Sequence, residues 1–190
     1  MRKLLAVSLT LVATAAAVPA VTSAKATDVP PLPDTNAVTK DDIRLVDRYA
    51  TRFVDAQESH ADAARIFLRD CSANPSSEWW QKVSRSRELV DDVVDGWDDL
   101  QDRIRTLRSL VDKTPIGDGA QDRLDDQLER VAKEAGTLKN AAVRLRGIYG
   151  DLKRFDCGVG NRLSDVRADT KAAGDRLDKA LTAAEKLVKG

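Results

Sequence analysis

The chain has 190 residues, and its 31 Lys and Arg balance 31 Asp and Glu. That neutrality excludes a general electrostatic attraction to nucleic acid or to an anionic membrane. Two cysteines and a single histidine leave little material for metal or thiol chemistry.

The N-terminal stretch carries Arg2 and Lys3, then an apolar run from Leu4 to Val18, with no acidic residue before Asp28. This is the layout of a secretory signal peptide, assigned to residues 1–24 because charge and proline begin just after Ala24. The run is shorter than the ~20 apolar residues of a membrane span, which argues against an uncleaved anchor. The expected location is therefore secreted or periplasmic, with no stable membrane insertion after cleavage. Loss of Arg2 and Lys3 leaves 29 of the 31 basic residues against 31 acidic ones, and the remaining length suits one domain with a single core.

Residues 25–38 hold Pro30, Pro31 and Pro33 and few large apolar side chains, the composition of a flexible arm. The rest, 39–190, predicts an all-α fold: an up-down-up-down bundle of four long antiparallel helices at about 40–73, 76–113, 120–157 and 161–188. Thr39 with Asp42 three residues on is a capping pair that opens the first helix. Along it Ile43, Val46, Ala50, Phe53, Gln57, His60, Ala64, Phe67 and Cys71 advance in alternating steps of three and four, which draws one buried stripe.

Asn74 followed by Pro75 predicts the cap and first turn of the second helix. Its stripe runs Val83, Ser86, Val90, Val93, Trp97, Leu100, Ile104, Leu107 and Val111. Pro115, Gly117 and Gly119 mark a turn. The third helix carries Leu124, Leu128, Val131, Ala135, Leu138, Ala142, Leu145, Tyr149 and Leu152, with Gly158 and Gly160 as its stops. Asn161 is the expected cap of the fourth, whose stripe is Leu163, Val166, Thr170, Ala173, Leu177, Ala180, Ala184 and Leu187.

Cys71 and Cys157 close the first and third helices, which an up-down bundle brings to the same pole. An even cysteine count in an exported chain predicts a disulfide between them. The first and third helices of a square bundle are diagonal, so this bridge requires a reach between helix ends or a skewed arrangement.

No catalytic residue is assigned. There is no Gly-rich phosphate loop, no G-x-S-x-G elbow, no C-x-x-C-H haem site and no Glu-x-x-His pair, and one histidine does not build a usual zinc site. No cofactor and no metal are expected. His60 lies on the buried stripe beside Gln57, at about the level of Ser86 and Thr170. These four predict a polar layer that fixes register, or the wall of a site for a small apolar ligand.

The second helix holds Glu88, Asp91, Asp92, Asp95, Asp98, Asp99 and Asp102 with no base between them. The third is basic over a similar depth, with Lys139, Arg144, Arg146, Lys153 and Arg154, so antiparallel neighbours are expected to pair. Carboxylates a turn apart on a straight helix do not converge as calcium requires. Trp79 and Trp80 are adjacent and do not both face the core. With Glu88, Asp92, Asp95 and Asp99 they are the candidate partner-binding residues, since tryptophan is enriched at binding hot spots. The expected function is macromolecular binding or structural spacing without catalysis, the partner being another protein or an envelope component and no nucleic acid. The alternative is a carrier or sensor that binds a small apolar ligand between the helices.

Overall fold

The computed structural model describes residues 36–71 and 75–188. The expected signal peptide and most of the Pro-containing arm lie outside the described residues. The end of the arm does not: Val38 is buried, and its N–H donates to Thr114 Oγ1 at 3.0 Å. The chain is therefore held to the body from Val38 onward.

Four helices follow: α1 (Lys40–Arg69), α2 (Ser77–Arg108), α3 (Asp118–Lys153) and α4 (Gly160–Leu187), with a short 3-10 turn at Val111–Lys113. Thr39 opens α1 with the expected reciprocal cap, its hydroxyl accepting from the Asp42 N–H at 3.2 Å while Asp42 Oδ2 accepts from the Thr39 N–H at 2.9 Å. Several helix ends fall short of the predicted limits. Ser76, after Pro75, caps α2 by accepting from the Trp79 N–H at 3.2 Å, where Asn74 was the expected cap. α2 stops at Arg108, and the chain then turns so that Val111 is buried with Val38 and Val188 at the end opposite the disulfide. α4 begins one residue before Asn161, with buried Val159 in the capping position and no side-chain cap.

The predicted glycine stop of α3 is also displaced. Phe155, at φ 68°, takes the left-handed position instead. The N–H groups of Arg154 and Asp156 return to the Asp151 carbonyl, and that of Phe155 to Leu152, which satisfies the free carbonyls of the last turn. A left-handed phenylalanine costs about 1–2 kcal/mol, offset here by its ring contacts with Trp79 and Trp80.

Cross-helix pairs run in opposite senses along every neighbouring pair, which defines the antiparallel arrangement. Arg44 meets Glu185 and Arg167 meets Asp62 between α1 and α4. Arg108 meets Asp125 and Arg146 meets Asp91 between α2 and α3. Arg176 meets Glu134 and Arg162 meets Asp151 between α3 and α4. Phe53 lies against Gly96, and Phe67 against Trp79, between α1 and α2. The stripes turn inward almost to the last residue, only Cys71, Ser86 and Leu187 among the expected positions being half-buried.

The core divides in two. One apolar cluster runs from Val38 and Val188 to Phe53 and Trp97; the other gathers Ala61, Phe67, Trp79, Tyr149 and Val166 at the opposite end. The boundary between them is the level of Gln57, His60 and Thr170. Cys71 and Cys157 are bridged at the second end, with Cα atoms 6.1 Å apart. The diagonal geometry is resolved because both cysteines lie beyond their helices, in the segments after Arg69 and after Lys153. No helix among the described residues is long and apolar enough to cross a membrane.

Candidate functional site

The four residues expected in the polar layer separate into two hydrogen-bonded groups. Gln57 and Thr170 are 1% exposed, and Gln57 Nε2 donates to Thr170 Oγ1 at 2.7 Å. The Thr170 hydroxyl passes its own proton to the Val166 carbonyl at 2.8 Å. Trp97 Nε1 donates to Gln57 Oε1 at 3.2 Å, so both ends of the buried amide are engaged. Trp97 was placed by sequence only as an apolar stripe residue, because its one polar atom leaves no mark on the periodicity.

The second group centres on Tyr149, whose hydroxyl donates to the His60 carbonyl at 2.7 Å. Ser86 lies within hydrogen-bonding reach of the same phenol, and burial pushes the phenol pKa up. The His60 imidazole is buried, and that desolvation holds its pKa below the ordinary value. Its ring makes no hydrogen bond to a described residue. His60 thus takes part in the layer through its backbone, not its ring.

The acidic and basic stretches pair only in part. Across the α2/α3 seam Arg146 meets Asp91 at 3.4 Å and Lys139 meets Asp98. Arg144 turns instead to Asp169 of α4, and Arg154 to Asp151 of its own helix. Asp102 is held by Arg105 one turn along. Glu88, Asp92, Asp95 and Asp99, spaced to share the outer face of α2, have no ion-pair partner among the described residues. Among those residues no cluster of His, Cys, Asp and Glu converges to hold a metal.

The two adjacent tryptophans do divide their roles. Trp79 is buried beneath the pole, edge-on to Phe67 at 6.1 Å and to Trp80 at 5.3 Å between ring centroids. Its Nε1 has no hydrogen-bond partner among the described residues. Trp80 is half-buried and rests against Phe155 at 5.6 Å. Each such aromatic pair adds about 0.5–1.5 kcal/mol beyond its burial, so the Trp80 ring is held on two sides while part of it remains accessible.

That accessible part forms one wall of an open groove of about 470 Å³, completed by Gln81, Ser84, Arg85 and Glu88 of α2 and Lys153 of α3. The structure therefore brings Trp80 and Glu88 together, while Asp92, Asp95 and Asp99 continue up the outer face away from the groove. Arg85, Gln81 and Ser84 were not anticipated, because polar residues on an exposed helix face carry no distinguishing signal. Arg85, Glu88 and Lys153 form no ion pair with any described residue.

One further charged group was missed. Arg103 is only 7% exposed, with Nη1 unpartnered among the described residues, and burial lowers its pKa while Tyr49 and Asp42 act in the opposite direction. Comparison with protein-family models, with curated proteins and with solved structures gives no match to this chain.

Proposed function

We propose that this chain is a non-enzymatic, extracytoplasmic bundle that binds another macromolecule at its disulfide-tied pole and sets its partner at a fixed spacing along the bundle. The observation that carries this reading is the groove at that pole, where a braced, part-exposed tryptophan stands beside three charged side chains that form no ion pair with any described residue. Rigid aromatic surface beside unsatisfied charge is the composition of an interaction hot spot. The disulfide and the signal-like N-terminus support an oxidising compartment.

The carrier reading has less support, because Gln57, Thr170 and Trp97 spend their hydrogen bonds on one another instead of presenting them to a ligand. Native mass spectrometry of the oxidised protein from the extracytoplasmic fraction of its own host separates the two. A complex with a macromolecule, lost on Trp80→Ala, is the expected result. A monomer carrying a discrete mass of a few hundred daltons would replace this reading with the carrier.

A further inference from the structure

Taking the pole groove as the binding site, we infer that it binds a carboxylate-bearing sugar unit of a polysaccharide, with the sugar ring against Trp80 and the carboxylate held by Arg85 and Lys153. The warrant is the donor and acceptor content of the groove. Trp80 supplies apolar aromatic surface, and it is held in place by Trp79 at 5.3 Å and Phe155 at 5.6 Å. A ring fixed before binding loses little entropy when a ligand lands on it. The C–H face of a pyranose is apolar and slightly positive, which matches the negative face of an indole.

The rest of the lining is polar in both senses. Gln81 and Ser84 donate and accept, Glu88 accepts only, and Arg85 and Lys153 donate only. A purely apolar ligand would strip water from five such side chains without replacing their hydrogen bonds. A sugar ring satisfies them, because each hydroxyl donates and accepts. Trp80, Ser84 and Glu88 follow one another at four-residue intervals, so they form a row along one face of α2. Lys153 faces that row from the last turn of α3.

The charges select among sugars. Arg85 and Lys153 come from different helices, and with Glu88 they leave one net positive charge at the groove. One carboxylate neutralises it, with charge-assisted hydrogen bonds from both cations. Glu88 favours a sugar over an acidic peptide because ring hydroxyl groups donate to its carboxylate, whereas ionised peptide side chains only accept. A neutral sugar would leave that net charge uncompensated.

The test follows the indole N–H resonance of Trp80 in the full, disulfide-bonded chain during titration with oligogalacturonate, its methyl ester, and oligoglutamate. A saturable shift with oligogalacturonate is expected, weakened about tenfold by either Arg85→Gln or Lys153→Gln and by methyl esterification. Both variants alter exposed side chains and leave the core intact. No shift up to about 10 mM oligogalacturonate, or a shift that neither variant weakens, would overturn the inference. Tighter binding of oligoglutamate would also overturn it, while leaving the macromolecule-binding reading standing. Loss of that broader reading shows separately, as absence of any complex in native mass spectrometry.

Discussion

Gln57 Nε2 donates to Thr170 Oγ1 at 2.7 Å across the boundary between two apolar clusters, 113 residues apart in sequence. This bond ties α1 to α4 at one height. A shift of register by a turn would break this bond and leave the Gln57 N–H2 group buried without its acceptor. Thr170→Val strands the Gln57 amide and is expected to cost about 1–3 kcal/mol. Gln57→Leu strands the Trp97 N–H and costs a similar amount. The double variant should lose less than the sum of the two, measured as urea midpoints in a double-mutant cycle.

Gly96 is where α2 approaches the Phe53 ring most closely. A Cβ there would stand 2.6 Å from Phe53 Cζ, and Phe53 is itself held edge-on by Trp97 at 5.3 Å. Gly96→Ala gains about 1 kcal/mol of helix propensity but overpacks the core by about 1–3 kcal/mol. Net destabilisation is expected as a lowered Tm. Gly119→Ala, whose Cβ would meet no described atom within 4 Å beyond its own turn of helix, gains the propensity alone and should raise it.

Burial keeps the His60 pKa below 6.5. The unfolded chain therefore takes up a proton at higher pH than the folded one. The stability linked to neutral His60 is complete above the unfolded value and is lost as pH falls through 6.5 toward the folded value. His60→Leu should flatten the decline in urea midpoint over that interval. Parallel pH profiles for wild type and variant would contradict this assignment.

The pole offers two further comparisons. Phe155 combines a left-handed backbone with ring contacts to Trp79 and Trp80. Phe155→Gly and Phe155→Ala both lose the ring, but glycine relieves the backbone cost, so the glycine variant should be the more stable by about 1 kcal/mol in denaturant unfolding. Reduction of the Cys71–Cys157 bridge, which spans 86 residues, should cost up to about 4–5 kcal/mol on a chain-entropy model, measured with and without reductant.

The apolar stripes, the Thr39–Asp42 cap and the shared pole of the cysteines were legible in the sequence, because each depends on spacing or on local chemistry. Helix ends were less so. Ser76 and Val159 hold the capping positions expected of Asn74 and Asn161, and the helices begin where Trp79 and Val159 are buried. Phe155 replaces the expected glycine stop for the same kind of reason. The groove was half legible. Two adjacent tryptophans announced a part-exposed ring, whereas Arg85 and Lys153 come to line one groove only once α2 and α3 are packed.

Site-specific photocrosslinking of the oxidised protein in extracts of its own host tests the pole groove most directly. A photoreactive residue at Ser84, inside the groove, should give a discrete high-mass adduct, while the same residue at exposed Lys171 on α4 should not. Equal labelling from both positions, or none from Ser84, would contradict a binding site at this pole.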